Sequence, residues 1–124
     1  MRAPANTAMN PTRIDPVALI GRAANVTIDR KLGTRHPTHG FLYLLNYGFL
    51  PGTISGDGEP LDAYIVGVFE PVDEFSGDVI AVIRRLDDDD DKLVVAPSGR
   101  TFSDAELLVL TEFQERFFKP VVLR

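Results

Sequence analysis

The sequence predicts a mainly β protein, a five-stranded OB-like closed β-barrel with a C-terminal helix packed on it. Several short apolar segments rich in Val, Ile and aromatic residues follow one another, separated by Gly, Pro and Asp. Helical spacing of apolar residues occurs only near the C-terminus. The 124 residues contain no internal repeat and have room for one modest core. About five strands and one late helix are typical of a small closed barrel.

The N-terminal third predicts an arm, a strand and a loop. Residues 1–15 are polar, contain Pro and lack periodicity, which predicts a flexible arm before a single barrel domain over residues 16–124. Val26 and Ile28 alternate with polar neighbours, as in a strand with one buried face. Residues 33–40 contain two His and a Pro between glycines and predict a loop.

Apolar segments in the middle of the chain predict four more strands. An Asp-rich loop is expected between the last two of them, and a turn is expected before the third, where Pro, Ser and Gly cluster. The predicted strands cover residues 41–50, 61–69, 78–86 and 92–96, and the predicted turn covers residues 71–77.

The C-terminal segment contains the clearest helix signal. Ser103 and Glu106 have the spacing of a capping box, in which each side chain bonds to the other residue's backbone N–H. Apolar residues then recur with helical spacing, so we expect a helix over residues 104–118. Pro120 ends this helix, and residues 121–123 are expected to form a last short strand.

Composition excludes several classes of function. The chain contains no cysteine, which removes disulfides, thiolate nucleophiles and Cys-bound zinc. Its net charge of −5 argues against nucleic acid and anionic membranes as partners. It has neither an apolar run long enough to span a bilayer nor the apolar stretch of a signal peptide, so a cytoplasmic location is expected.

Two acidic clusters carry the strongest chemical signal. The first is D-G-E-P-L-D at residues 57–62, and the second is the Asp run at residues 87–91, which Lys92 follows. Either cluster alone is typical of a solvated turn or loop. Together, each at the end of an apolar strand, they favour a divalent metal site, because like charges need neutralising and carboxylate oxygens attract hard cations.

Alternation of side chains along an extended chain groups the acidic residues by face. Asp57 and Glu59 share one face of the first cluster, and Asp88, Asp90 and Lys92 share one face of the second. Metal ions held there can activate water and neutralise phosphate oxygens, while a neighbouring lysine can hold an anionic substrate. The chain offers no P-loop pattern and no recognisable nucleophile with its base.

The order of the motifs resembles the soluble family I inorganic pyrophosphatases, in a short form. The matching segments are Y-x-x-N-Y-G-F at residues 43–49, P-G-T at residues 51–53, the acidic signature at residues 57–62 and the Asp-to-Lys segment at residues 87–92. The resemblance is strongest over residues 41–97. It implies a five-stranded barrel flanked by helix, and Mg²⁺-dependent hydrolysis of pyrophosphate to two phosphates by a metal-activated water.

The resemblance also implies a set of metal ligands. Asp57 and Asp62 correspond to metal-binding positions, and Glu59 corresponds to a ligand or general base near the attacking water. Asp90, two residues before the lysine, corresponds to a further ligand. The implied metal set is Asp57, Glu59, Asp62, Asp88 and Asp90, with Asp87 as the alternative to Asp88 and with Mg²⁺, or Mn²⁺, as the cofactor.

Substrate-binding roles follow from the same resemblance. Lys92 is expected to bind a substrate phosphate, Tyr47 to donate its hydroxyl, and Tyr43 to line the pocket. Arg30 is a candidate substrate cation, and Asp29 matches an early acidic residue of the site. The implied catalytic set is Glu59, Asp62, Lys92 and Tyr47. The expected partners are a small-molecule diphosphate substrate and other copies of the chain in a homo-oligomer.

Three departures from the family pattern leave a second function open. Glu59 stands where the family has Asp, and an N-terminal Lys, acidic residue and Arg have no clear equivalents. The family's Tyr-Lys pair near the C-terminal helix is replaced here by F-F-K at residues 117–119, which lacks the tyrosine. The candidates to replace the missing groups are Arg30, Arg35, His36 and His39, which lie in the same region, although the surroundings of the two histidines favour a surface loop. The alternative is a non-catalytic or altered-specificity barrel that binds a divalent metal or phosphate.

Other side chains have structural predictions. Arg84 and Arg85 are expected to lie on opposite faces of their strand, with one of them pairing with the Asp run. Tyr64 lies two residues after Asp62 and is expected on the same face of their strand, but a position in the barrel core is the stronger interpretation. Phe117 and Phe118 are expected to pack the helix against the barrel.

Overall fold

Eight strands, a short 3-10 helix and one α-helix make up the part of the protein that its computed structural model describes, residues 12–13, 15–56 and 58–124. No helix in this part is long and apolar enough to cross a membrane. The 3-10 helix is Pro16–Leu19. The strands are β1 (Thr12–Arg13), β2 (Ala23–Arg30), β3 (Asn46–Phe49), β4 (Thr53–Ile54), β5 (Asp62–Ile65), β6 (Glu74–Arg85), β7 (Lys92–Ala96) and β8 (Pro120–Leu123), and the helix is α1 (Asp104–Glu115).

Five strands close into a barrel, as predicted. Their order is β2-β3-β5-β7-β6, and β6 pairs back onto β2. The β5–β7 pair is parallel, and the other four pairs of the ring are antiparallel. β6 has 12 residues, so its first half pairs with β2 while its second half pairs with β8. β1 and β4 form a separate parallel pair.

Alternate residues of the barrel strands supply two apolar cores. One core contains Val26, Leu61 and Val95, among others, and fills the barrel. The other core contains Tyr64 and Val94 together with helix residues, so it lies between the barrel and α1. All five residues of β7 are buried, as expected for a strand covered on both faces.

Helix α1 begins where the capping box predicts. The Ser103 hydroxyl accepts a hydrogen bond from the Glu106 backbone N–H, and the Glu106 carboxylate accepts one from the Ser103 N–H. The helix ends at Glu115, three residues earlier than expected (118 against 115). The chain then turns back, and β8 forms at the predicted place, paired with the second half of β6.

The strand predicted over residues 41–50 is shorter in the structure. Only Asn46–Phe49 form a strand, β3. Upstream, the backbone of Tyr43 exchanges hydrogen bonds with the preceding loop, donating to Thr34 and accepting from Gly33. Residues 41–45 therefore pair with the preceding loop and not with a strand of the barrel. The local sequence is apolar enough for both arrangements.

The turn predicted over residues 71–77 is wrong from residue 74 onward, because β6 already begins at Glu74. Pairing with β2 overrides the turn propensity of Ser76 and Gly77. Gly77 is needed in this strand for another reason, since a Cβ atom there would overlap the backbone carbonyl oxygen of Ala96.

The arm predicted over residues 1–15 falls almost entirely outside the described residues. Residues 12–13 of this arm are described; they form β1, which runs parallel to β4. The single domain expected over residues 16–124 stays a prediction.

The close approach of β2 and β3 predicts the effect of one substitution. In Gly48→Ala, the new Cβ would overlap the backbone carbonyl of Thr27, so the two strands must separate. We expect the free energy of unfolding, measured by urea denaturation, to fall by about 3 kcal/mol. The control Gly40→Ala meets open space at a positive φ and should cost about 1 kcal/mol. Equal losses in the two variants would contradict the close packing at Gly48.

Candidate active site

A cleft of about 690 Å³ opens at the rim where β5 and β7 begin. Because these strands are parallel and in register, Asp62 at the start of β5 lies beside Lys92 at the start of β7. The Asp run enters the same rim immediately before Lys92. Both acidic segments of the sequence therefore meet at one end of the barrel.

The centre of the cleft is an ammonium held between two carboxylates. The Lys92 Nζ atom lies 2.6 Å from an oxygen of Asp62 and 2.6 Å from an oxygen of Asp90. The Lys92 side chain is only 3% exposed, whereas those of Asp62 and Asp90 are 27% and 16% exposed. The two carboxylates thus present their remaining surface to the cleft and offset the cost of burying the ammonium.

Tyr47 on β3 forms the floor beside this charged group. The Lys92 Nζ atom lies 5.5 Å from the centre of the Tyr47 ring. Burial, and then the negative charge of Asp62, raise the pKa of Tyr47 well above its ordinary value. The phenol therefore keeps its proton at neutral pH and can donate a hydrogen bond to an anion in the cleft.

A β-bulge supplies two further residues from one strand. The pairing of β2 with β3 skips one residue between Ile28 and Arg30, so Asp29 is the extra residue. Asp29 and Arg30 both line the cleft, although neighbours on a regular strand face opposite ways. Burial raises the pKa of the Asp29 carboxyl, while the neighbouring Arg30 charge acts in the opposite direction.

The end of α1 reaches the site through a buried ion pair. The guanidinium of Arg85 donates two hydrogen bonds, of 2.9 and 2.7 Å, to the carboxylate of Glu115. The two side chains are 5% and 1% exposed. Burial alone would lower the pKa of Arg85, but the hydrogen bonds and charge of Glu115 outweigh it and raise that pKa. A further nitrogen of Arg85 lies 3.5 Å from Asp90, which connects the helix to the carboxylates of the cleft.

A chain of buried hydrogen bonds continues from Glu115 across the barrel wall. The Tyr64 hydroxyl donates to Glu115 at 2.6 Å, and the Gln114 side-chain amide donates to the Tyr64 oxygen at 2.7 Å. The Tyr43 hydroxyl donates to the Gln114 carbonyl oxygen at 2.8 Å. Burial, and then the charge of Glu115, raise the pKa of Tyr64 well above its ordinary value. Both phenols are therefore fixed in place as proton donors.

The cleft brings together most of the residues singled out from the sequence. Its lining includes Arg30, Tyr43, Tyr47, Glu59, Asp62, Asp90 and Lys92. Asp88 lies outside the lining, and its carboxylate contacts Arg85 at 3.5 Å. Asp57 lies outside the described residues. Asp91 points to the other side of β7 and pairs with Arg84, as the alternation predicts.

Sequence reasoning gave Arg85 a possible Asp partner but missed its ion pair with the helix. It also missed Glu115 and Gln114, which are buried residues of α1. Phe118 was expected to pack the helix, and it also lies against the Arg85 guanidinium, 3.7 Å from the ring centre. A charged residue on the apolar face of the last helical turn is the signal that could have indicated a buried ion pair at Glu115.

The donor set of the cleft fits a magnesium-like cation. Within residues 15–56 and 58–124, no three acidic or histidine side chains are grouped closely enough to hold a metal by themselves. Mg²⁺ is usually held by one or two carboxylates and completes its octahedral shell with water and substrate phosphate. Asp62 and Asp90 supply such carboxylates, with Glu59 and Asp29 on the same cleft.

Comparison with known proteins gives a consistent family match. The protein-family model described as "Inorganic pyrophosphatase" matches residues 22–120 of the chain. An inorganic pyrophosphatase of Ralstonia nicotianae is 38% identical over 61 residues, which cover 48% of this chain and 32% of that protein. One from Sulfolobus acidocaldarius is 33% identical over 66 residues, covering 48% and 36% respectively. The chain thus matches about a third of the length of these two relatives.

Solved structures show the same fold. The inorganic pyrophosphatase of Ehrlichia chaffeensis superposes with a TM-score of 0.64 at 20% identity, covering 82% of this chain and 84% of that one. The enzyme from Neisseria gonorrhoeae gives a TM-score of 0.60 at 22% identity, covering 83% and 76%. The barrel with its C-terminal helix is therefore shared with these proteins.

The buried ion pair predicts a large difference between two glutamates of one helix. Glu115→Ala leaves the Arg85 charge buried without its main partner, so we expect a loss of about 3–5 kcal/mol in the free energy of unfolding. Glu112→Ala removes only an exposed pair with Arg116 and should cost less than about 1 kcal/mol. Urea denaturation of both variants measures the difference, and similar losses would mean that the buried pair contributes no more than the surface one.

Proposed function

The chain belongs to the inorganic pyrophosphatase family, and we propose that it hydrolyses pyrophosphate to two phosphates with the help of a divalent metal. The observation that carries this proposal is the Lys92 ammonium between Asp62 and Asp90 at the centre of the cleft. Carboxylates next to a phosphate-binding cation are the chemistry that phosphoryl transfer to water requires, since it depends mainly on positioning and charge stabilisation.

We assign the metal to the acidic side of the cleft. Asp62 and Asp90 are the ligands that the geometry favours, and Glu59 lines the same cleft as a further ligand or as the general base. When bound, Mg²⁺ or Mn²⁺ would supply an activated water and neutralise phosphate charge. Asp57 and Asp88 stay ligands predicted from the family resemblance.

We assign substrate binding to the hydrogen-bond donors and cations that line the same cleft. Lys92 provides a positive charge, and the protonated Tyr47 hydroxyl provides a hydrogen bond that does not vary with pH near neutrality. Arg30 adds a second cation to the lining of the cleft, which also includes Tyr43. These groups would hold the leaving phosphate in line with the attacking water.

A binding module without turnover is the second candidate. The observation in its favour is the lining of the cleft, which has three cationic side chains, Arg30, Arg85 and Lys92, among the described residues. Two of them are already committed to carboxylates, Arg85 to Glu115 and Lys92 to Asp62 and Asp90. A site with so much of its positive charge engaged internally could bind a metal–phosphate complex and still hydrolyse it poorly.

The cytoplasmic location and the homo-oligomer also stay predictions.

An activity assay separates the two candidates. The purified chain should release phosphate from pyrophosphate with Mg²⁺ and lose this activity with EDTA. Asp62→Asn should lower turnover at least about 100-fold, since it removes a metal ligand while Lys92 keeps its bond to Asp90. The control is Asp73→Asn, a surface carboxylate that pairs with Lys31. Absence of release by the folded chain would reject the enzyme, and release that EDTA leaves unchanged would reject the role of the metal.

The crowded carboxylates predict a metal effect that does not depend on turnover. Lys92→Met leaves Asp62 and Asp90 facing each other without the ammonium, so the melting temperature should fall in EDTA. Millimolar Mg²⁺ should then raise it by roughly 4 °C or more, a larger shift than in the unmodified chain. The control is Lys119→Met, at an exposed lysine. Equal Mg²⁺ shifts in all three proteins would argue against a metal at these carboxylates.

A further inference from the structure

Aromatic rings line the outer part of the cleft. We call His36, His39, Phe41 and Phe117 the aromatic wall, and all four border the same cleft as the charged group. The rings contact one another, with centroid distances of 4.6 Å for His36–His39, 5.8 Å for Phe41–Phe117 and 6.4 Å for His39–Phe117. Two separate segments thus build one continuous surface of rings.

The aromatic wall presents ring surface to the cleft, although Phe41 also packs against the core. Phe117 is 59% exposed, whereas Phe113, one turn earlier on the neighbouring helix, is 6% exposed. Both residues contact Phe41, so the same small cluster has a buried end and an open end. A phenylalanine left this open at the mouth of a cleft is a candidate contact for a ligand.

Hydrogen bonds orient one of the two histidine rings of the aromatic wall. The Nδ1 atom of His36 accepts hydrogen bonds from the backbone N–H groups of Thr38 and His39, at 3.0 and 3.1 Å. Accepting at Nδ1 requires that nitrogen to be unprotonated, so the ring is neutral. Burial, then the positive charges of His39 and Arg30, lower the pKa of His36 and favour the same state. A fixed, neutral ring is a suitable stacking surface.

Two tyrosines connect the aromatic wall to the charged centre. The ring of Tyr43 is stacked with that of His36 at 6.2 Å and lies 5.5 Å from that of Tyr47. The Tyr47 ring in turn lies 5.5 Å from the Lys92 ammonium. A ligand with an aromatic group and a diphosphate could therefore contact both ends at once.

The cleft has room for an organic ligand. At about 690 Å³ it falls within the size range of pockets that enclose drug-sized ligands, which is roughly 300–1,000 Å³. Such pockets combine apolar and aromatic walls with a few polar groups that fix the orientation of the ligand, which is the division seen here.

From these observations we propose that the cleft takes, besides pyrophosphate, an organic diphosphate with an aromatic group, of the nucleoside diphosphate class, and binds it more tightly than the same diphosphate without a base. Its base stacks on the aromatic wall and its diphosphate lies at Lys92, so the inference rests on the proposed hydrolase function for its chemistry. The oxygen of a water molecule bonds to the terminal phosphorus, and the bond from that phosphorus to the bridging oxygen breaks. The organic monophosphate leaves with the bridging oxygen and its electron pair. One proton of the water stays on the released phosphate, and the other passes to the solvent.

Binding of two uncleavable probes tests the aromatic subsite. The first is ADP with a methylene group in place of the bridging oxygen, and the second is the methyl ester of methylenediphosphonate, which has the diphosphonate but no base. In calorimetric titrations with Mg²⁺, the first probe should bind about tenfold more tightly. Phe117→Ala should weaken the first probe about tenfold more than the second. The control Phe69→Ala removes a phenylalanine that is 67% exposed away from the cleft and should change neither.

Phosphate release from ADP and from pyrophosphate then separates this inference from the proposed function. Selective binding with release from both compounds supports both. Selective binding with release from pyrophosphate alone supports the hydrolase and the aromatic subsite but overturns the nucleoside diphosphate as a substrate. Selective binding without release from either compound supports the aromatic subsite and rejects the hydrolase. Equal binding of the two probes, or equal effects of Phe117→Ala on them, overturns the aromatic subsite even where pyrophosphate is hydrolysed.

Discussion

The parallel pairing of β5 with β7 places the Lys92 ammonium between Asp62 and Asp90. In an antiparallel pair, the start of one strand would face the end of the other, and the two acidic segments would lie at opposite ends of the barrel. Because both strands begin at the same rim, the charges neutralise one another where they are partly desolvated. The cleft, its polarity and the position of the Asp run all depend on this register.

The helix is joined to that centre by charge as well as by apolar packing. Glu115 and Arg85 bind in the bidentate geometry that best offsets desolvation, and Arg85 also contacts Asp90. The helix end, the barrel wall and the acidic rim therefore form one hydrogen-bonded unit. Removing a member disturbs both the packing of α1 and the carboxylates of the cleft.

Local patterns in the sequence predicted the elements that depend on local interactions. Alternation in β2, the apolar segment of β7 and the capping box of α1 were sufficient to predict these elements, and the acidic motifs singled out Asp62, Asp90 and Lys92. The start of β6 was missed because strand pairing, a long-range interaction, overrode the turn propensity of Gly77. The pair between Arg85 and Glu115 was missed for the same reason, since 30 residues separate the partners. No periodicity marks such a contact.

The bulge at Asp29 lets one strand contribute apolar residues to the barrel interior and charged residues to the cleft. Up to Ile28, alternate residues of β2 point into the barrel and must be apolar. The extra residue resets the alternation, so Asp29 and Arg30 face the cleft without placing any polar group inside the core. Substitutions at these two positions can therefore change the charge of the cleft independently of the barrel interior. The ligand preference of this rim can vary while the scaffold is conserved.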